Sequence, residues 1–199
     1  MAKYGARNSF WAPWADDSQD TDKNKLPTYG AAKPCGQLNK ITDSPNFQEG
    51  SLAGDDTIVL YEKAFIDGTV TEENVFIPIA DAAVMLGASY DETNGMALGV
   101  DDKAPYIGKG FVTHHVGKTG SYWEAVFYPK LKANPSGRDY STRAKDINFA
   151  TDKMEYVWEA PACGKYMIVK DFATEDEANA YIEALFKGAA AVPGLPAKA

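Results

Sequence analysis

Histidine and cysteine are scarce in this chain, with two of each among 199 residues. Cys35 and Cys163 lie far apart and form no CxxC pair. That removes a redox motif, and leaves two buried or half-buried thiols as the expectation for a reducing compartment, with a disulfide or a metal clip as the alternative. His114 and His115 are adjacent. On a strand, neighbours point to opposite faces, so the pair cannot share one metal ion unless a bulge re-aims one of them. Zinc also needs at least three protein ligands, and no HxxxH, HxH or nearby cysteine supplies them. The pair therefore reads as structural, one histidine packed near aromatic side chains and the other solvated at a strand end.

Other catalytic patterns are missing too. "GKG" at 108–110 and "GKTG" at 117–120 are pieces of a phosphate loop. The upstream glycine of the Walker pattern is absent, however, and a strand follows where a helix dipole is needed. No GxSxG elbow occurs. Glu72 and Glu73 are neighbours on a strand, splayed apart, and read as a solvated face. No catalytic residue, metal ligand or cofactor is assigned, and the chain is not expected to be an enzyme.

Basic runs and long apolar runs are lacking as well. The chain has 20 Lys and Arg against 28 Asp and Glu, a net charge of −8 and a sequence pI near 4.8. A nucleic-acid binder carries a basic footprint, and none is visible. No stretch approaches the length of a membrane span. "MAKYGARNSF" has no apolar core of a signal peptide, so a cytosolic start is expected and no membrane partner.

What is present points to β structure. Seventeen glycines, eleven tyrosines and short apolar runs suit strands and turns. Residues 1–34 read as loop-rich, with "NSFWAPWA" as an edge strand because proline is tolerated there. A short strand is expected over 37–44, stopped by Ser44–Pro45. The Gly-containing stretch 46–56 reads as a mobile loop. Asp67–Gly68 between β-prone runs predicts a hairpin of strands 57–66 and 69–78. "ADAAVMLG" after Pro78 predicts a short helix stopped by Gly87. Strands 106–116 and 121–131 form a second expected hairpin. On its return strand Trp123, Ala125, Phe127 and Leu131 share one face, the expected core, and Tyr122, Glu124, Val126, Tyr128 and Lys130 share the other. "TEDEANAYIEALFKG" is the clearest helix. Thr174 and Glu177 form a capping box, Ala178, Tyr181, Ile182 and Leu185 make its apolar face, and Gly188 closes it. The tail over 188–199 reads as an extended arm.

Several of these stretches together resemble a known family. "YGAAKPCGQLNKITDSPNFQEGSLAGDD", "YEKAF", "APYIGKGFV", "YWEAVFYPKLKA" and "INFATDKMEYVW" occur in the order seen in bacteriophage major tail proteins, the tail tube subunits of the phi13 type. The resemblance covers residues 28 to 172. It implies a tail-tube fold, a β-sandwich or barrel of antiparallel strands with a flanking helix, as one domain over 1–187 with a C-terminal arm over 188–199. It implies self-assembly into stacked hexameric rings, the conduit for DNA delivery, in a virion tail built in the bacterial cytoplasm. Implied partners are further copies of the chain, tape measure and tail completion or terminator proteins, double-stranded DNA in passage, and a sheath protein where the tail is contractile. It makes 46–56 the loop that stacks on the next ring. The residues concerned are Asn46, Phe47, Gln48, Glu49, Gly50, Ser51, Leu52, Asp55 and Asp56, with Leu52 and Phe47 as anchors. It makes Tyr122, Glu124, Tyr128 and Lys130 candidates for the lumen wall. Val192, Pro193, Leu195 and Pro196 are the candidate contacts of the arm with a neighbour.

A carbohydrate- or protein-binding β-sandwich module, such as a virion decoration domain, is the alternative. Trp11, Trp14, Tyr122 and Tyr128 are of a type that stacks sugars, although tyrosine-rich faces more often seal sheets and interfaces.

Overall fold

The computed structural model of the protein describes residues 2–16, 20–54, 57–117, 120–137 and 151–195. Their elements follow in the order β1 (Ala2–Pro13), β2 (Lys33–Pro34), β3 (Leu38–Gly54), β4 (Thr57–Asn74), α1 (Ile79–Leu86), β5 (Ser89–Asp91), β6 (Gly95–Ala97), β7 (Tyr106–Gly117), β8 (Gly120–Asn134), β9 (Asp152–Trp158), β10 (Ile168–Phe172) and α2 (Glu175–Phe186). The chain is mainly β, as its composition predicts.

One antiparallel sheet runs β2–β1–β7–β8–β9–β4–β3, with β10 also on β8. A small β5–β6 hairpin stands apart from it. β8 is long enough to hold two strands along the edge away from β7: β10 over Trp123–Phe127 and β9 over Leu131–Asn134. The sheet folds over on itself there, so that Ser9 of β1 reaches Glu72 of β4. It forms a sandwich-like enclosure, not a closed barrel.

Two cores result, one on each face of β7 and β8. The enclosed one gathers Trp11, Ile107, Phe111, Leu131, Tyr156 and Trp158, capped by Met85 and Leu86 of α1. The outer one joins Val112, Ala125 and Phe127 to Ala178, Ile182 and Leu185 of α2. Each fully buried large side chain contributes about 1.5–3 kcal/mol.

α2 begins where the capping box places it. The Glu177 amide donates to Thr174 Oγ1 at 3.3 Å and the Thr174 amide donates to Glu177 Oε2 at 3.2 Å. α1 ends at Gly87, whose φ of 67° is left-handed, as the stop signal predicts.

The strands differ from the sequence reading in three places. First, Asp67–Gly68 makes no turn. β4 runs straight through it, paired with β3 on one side and β9 on the other. Gly68 is there for space, because a Cβ would stand 2.8 Å from both the Ser44 carbonyl and the Trp158 ring. Likewise Ser44–Pro45 does not end β3. Within the sheet β3 pairs only with β4, so the missing N–H of proline is tolerated at that edge.

Second, the alternation along β8 breaks. Ile107 pairs with Leu131 but Lys109 pairs with Tyr128, so β8 carries an extra residue between them. The Pro129 carbonyl in this bulge accepts hydrogen bonds from Trp14 Nε1 and Tyr29 OH, both at 3.0 Å. The bulge moves Leu131 to the enclosed core, away from Phe127, and turns Lys130 the other way. Third, the loop-rich N-terminal region contains a 12-residue strand, β1, bulged around Arg7 and laid along β7.

Candidate assembly site

Of the stretch 46–56, expected as a loop, the described residues 46–54 are one strand of a projecting β-hairpin. β3 and β4 pair from Leu38↔Asn74 to Gly54↔Thr57, but β9 supports β4 only from Gly68 to Asn74. Beyond Phe47↔Phe65 no third strand joins the two among the described residues, and the described residues of 48–53 and 59–64 are exposed. A long apolar–polar mixture without a core of its own reads as a loop, yet two strands of β-prone residues satisfy each other's backbone groups.

The root of this arm is aromatic. Phe65 stacks on Tyr166 at 4.0 Å and lies 5.1 Å from Trp158 and 5.8 Å from Phe47. Trp158 Nε1 donates to the Tyr166 carbonyl at 2.7 Å. Phe47, expected as an anchor for a neighbour, is instead part of the root of its own arm. Asn46 is a root residue as well, donating to Asp67 Oδ1 at 3.0 Å. Further out, Glu49 pairs with Lys63 at 2.7 Å. Hydrogen bonds from the Lys63 ammonium and from Tyr61 hold the Glu49 carboxyl below the usual range. Gln48, Gly50 and Ser51 are exposed, and Leu52, the other expected anchor, stands free with Val59, Leu60 and Tyr61 nearby on the partner strand. Asp55 and Asp56 lie outside the described residues.

The lumen candidates are placed differently from expectation. Tyr122, Glu124 and Tyr128 share a face, but that face looks into the folded-over sheet. Tyr128 is buried and its OH donates to Asp43 Oδ2 of β3 at 2.9 Å. Glu124 and Tyr128 line an open groove of about 560 Å³ at the mouth of the enclosure, together with Phe111, Val126, Met167 and Val169. Lys130 is separated from them by the bulge. It pairs with Asp20 at 2.9 Å and Glu159 at 3.4 Å and lies over the Tyr106 ring. Strand alternation assigns two faces, but here both are covered, one by α2 and the other by the sheet itself.

The histidines are cross-strand stacking partners. His114 stacks on Trp123 at 4.4 Å and His115 on Tyr122 at 4.6 Å. Neither is solvated: His115 is buried and His114 half-buried. His115 Nδ1 lies 3.1 Å from Tyr122 OH, and its Nε2 lies 3.3 Å from Glu124, off the line of a good hydrogen bond. Among the described residues no three His, Cys, Asp or Glu side chains are placed to hold a metal ion.

The "GKG" of β7 has a packing explanation. A Cβ on Gly108 would meet the Tyr29 ring at 2.4 Å, and one on Gly110 would meet Ile182 of α2 at 2.6 Å. Between them Lys109 points into the enclosure and pairs with Glu72 at 2.5 Å, both side chains fully buried. Ser9 Oγ donates to Glu72 Oε1 at 2.6 Å and Tyr156 OH to Glu72 Oε2 at 3.1 Å. Glu72 is thus no solvated strand face. Burial alone pushes the Lys109 ammonium down, and the neighbouring Cys35 and Glu72 outweigh it and raise it. Cys35 is buried against the same carboxylate, and burial pushes its thiol up to about 11. The signal for this cluster was the shared parity of Val70, Glu72 and Asn74, which places the carboxylate on the buried side of β4. Cys35 and Cys163 are both free thiols, the first buried and the second half-buried.

The C-terminal arm, expected to extend onto a neighbour, turns back on its own chain. Val192 and Leu195 pack against the outer core and Tyr181 OH donates to the Ala191 carbonyl at 3.2 Å. Pro193 is exposed and Pro196 lies outside the described residues. Val192 and Leu195 are half-buried and line a groove with the end of α2 and the loop over 24–29. Among the described residues no helix is long and apolar enough to cross a membrane.

A scan against protein-family models and a search of curated proteins both find no match to this chain.

Proposed function

We propose that the protein is a structural subunit that assembles with copies of itself into stacked rings, as a phage tail tube through which DNA passes. The observation that carries this reading is the β3–β4 arm. A two-stranded hairpin is marginal alone in water, yet this one projects from a well-packed base and leaves Leu52, Val59, Leu60 and Tyr61 more than half exposed. Such an element is stabilised by burial against another molecule. Among the described residues β3 and β10 each pair along one edge alone, which adds support, because exposed strand edges invite pairing with a second chain. The acidic composition suits a conduit, since a wall that attracted phosphate would retain the DNA. In this reading the tape measure and terminator proteins are partners at the ends of the tube, and a sheath protein joins where the tail contracts.

The carbohydrate-binding alternative has less support. Of its four aromatic candidates, Trp11, Trp14 and Tyr128 are buried and Tyr122 is covered by His115. Electron microscopy of the purified full chain tests the proposal. Rings or tubes are the expected result. A monodisperse monomer at every concentration and salt, with binding to an immobilised glycan, would replace it with the alternative.

A further inference from the structure

The enclosed core holds more chemistry than packing needs. Among the described residues Lys109 and Glu72 are the buried lysine and the buried glutamate, and neither side chain has any exposure. Asn74 is also without exposure, and it follows Glu72 by two positions on β4, on the same face. Replacing a buried ion pair by apolar residues is often neutral or stabilising, so stability alone does not account for the pair. Asn74 adds a second anomaly. Its Oδ1 is buried with no hydrogen-bond partner among the described residues. Buried polar atoms are normally paired, and an orphan needs a reason.

One thiol adjoins both the lysine and the carboxamide. Cys35 Sγ is 3.7 Å from Glu72 Oε2 and 3.9 Å from Asn74 Nδ2, and Lys109 hydrogen-bonds the same sulfur. Glu72 Oε2 is 2.5 Å from Lys109 Nζ. Tyr156 OH lies 3.4 Å from that Nζ and 3.1 Å from that Oε2. The backbone fixes the arrangement. The Cys35 amide donates to the Ser9 carbonyl at 2.7 Å, and the Val75 amide to the Gln37 carbonyl at 2.8 Å. Gly36 has no room for a Cβ beside the Phe76 carbonyl. An amine, a carboxamide and a carboxylate able to carry a proton are thus held in one cluster without solvent exposure.

We propose that Lys109 and Asn74 join in an amide crosslink formed by the folded chain itself, with Glu72 as the proton carrier. The step balances without a co-reactant. The Lys109 ammonium passes a proton to Glu72 across their 2.5 Å contact. The neutral Nζ, on its flexible four-carbon stem, attacks Asn74 Cγ. As the Nζ–Cγ bond forms, charge builds on Oδ1, the atom with no hydrogen bond to give up. Nζ gives a second proton to Glu72, which passes one proton to Nδ2 and keeps the other. The Cγ–Nδ2 bond breaks, its electron pair stays on nitrogen, and ammonia leaves. A buried ammonium and carboxylate become an amide and a neutral acid, which an apolar interior favours. The ammonium is the prevailing form of Lys109, so the nucleophile is the minor one and the reaction is slow. One turnover per molecule tolerates that. The crosslink ties β4 to β7 and closes a loop through α1 and the β5–β6 hairpin.

The test is denaturing mass spectrometry of the purified full chain, followed by digestion with trypsin. The intact mass should lie below that of the sequence by one ammonia in most molecules. Trypsin should not cut after Lys109, and the peptide 64–103 should appear joined to 104–118. Asn74→Ala leaves the Lys109–Glu72 pair in place. It should keep the full mass of its own sequence and be cut after Lys109. Glu72→Gln keeps the shape of the side chain but carries no proton, and should crosslink about a hundredfold more slowly after refolding from denaturant. A parent chain of full mass that is cut after Lys109 would overturn the inference. So would loss of ammonia with Lys109 still open to trypsin, the mark of a succinimide at Asn74. A Glu72→Gln chain that crosslinks at the parent's rate would overturn the role of Glu72. The masses are read on single unfolded chains, so the outcome does not depend on whether the protein assembles.

Discussion

The β3–β4 hairpin is two structures in one pair of strands. From Gly68 to Asn74 β4 is held between β3 and β9, and Val70, Glu72 and Asn74 are buried. From Thr57 to Ala64 it is held, among the described residues, by β3 alone and its described side chains are exposed. The backbone pairing is equally regular in both halves, so regular hydrogen bonding does not distinguish what folds the domain from what projects from it. Coverage does. The inner half buries side chains in the domain, and the outer half leaves its apolar side chains exposed.

Substitutions in the inner half should therefore lower stability and leave the arm's role untouched until the fold fails. Lys109→Met is expected to cost about 3–5 kcal/mol, because it strands the Glu72 carboxylate in the interior without its counter-ion. The midpoint of urea unfolding measures this. A shift of less than about 1 kcal/mol would mean that water reaches the pair, and would blur the division between the two halves.

The thiol beside that pair gives a pH dependence. Cys35 is raised from 9.0 to about 11 in the folded chain. The folded state then holds its proton more tightly than the unfolded one. This stability is fully present below pH 9 and is lost as pH rises towards 11, by about 2–3 kcal/mol in all. The buried Tyr156 and Tyr128 hydroxyls are also raised by burial and steepen the loss above their ordinary value of 10.0. Cys35→Ala should flatten the part of the curve between pH 9 and 10. A profile there identical to the parent's would place the alkaline sensitivity elsewhere.

Gly68→Ala sharpens the comparison at the boundary of the halves. The added methyl must displace Trp158 or the Ser44 backbone, at an expected cost of about 1–3 kcal/mol. Gly50→Ala, on the same hairpin but with nothing within 4 Å, serves as its control and should be close to neutral. Thermal melting of the two variants side by side reads out the difference. The smallest effect belongs to Leu52→Ser with Leu60→Ser in the arm. Folding stability should stay within about 0.5 kcal/mol of the parent, as for exposed positions generally, while ring or tube formation falls. A large loss of stability in this variant would show that the arm serves its own fold.

Local features were legible in the sequence. Thr174 and Glu177 fix the start of α2 because a capping box is satisfied within four residues. Gly87 stops α1 for the same local reason, its left-handed φ. The pairing of 106–116 with 121–131 follows from two β-prone runs joined by a short glycine turn, and β7 and β8 form this hairpin with Val116 opposite Ser121. Asp67–Gly68 shows where this kind of reading fails. The dipeptide suits a tight turn, but the Trp158 ring, 90 residues further along, gives the glycine a different task. The bulge at Pro129 likewise depends on Trp14 and Tyr29, far away in the chain.

By itself, then, the sequence determined the β class of the chain, its helix ends, its acidic surface and the absence of recognisable catalytic spacing. Those depend on composition and on contacts within a few residues. Only the tertiary structure decided which face of a strand is inside. It buried Glu72 and Lys109 as a pair, turned Tyr128 towards Asp43, stacked each histidine on its cross-strand neighbour, and extended 46–66 into an arm instead of a loop. The physical reason is that burial is a property of what a side chain faces, and for Glu72, Lys109 and Tyr128 the facing partners lie dozens of positions away.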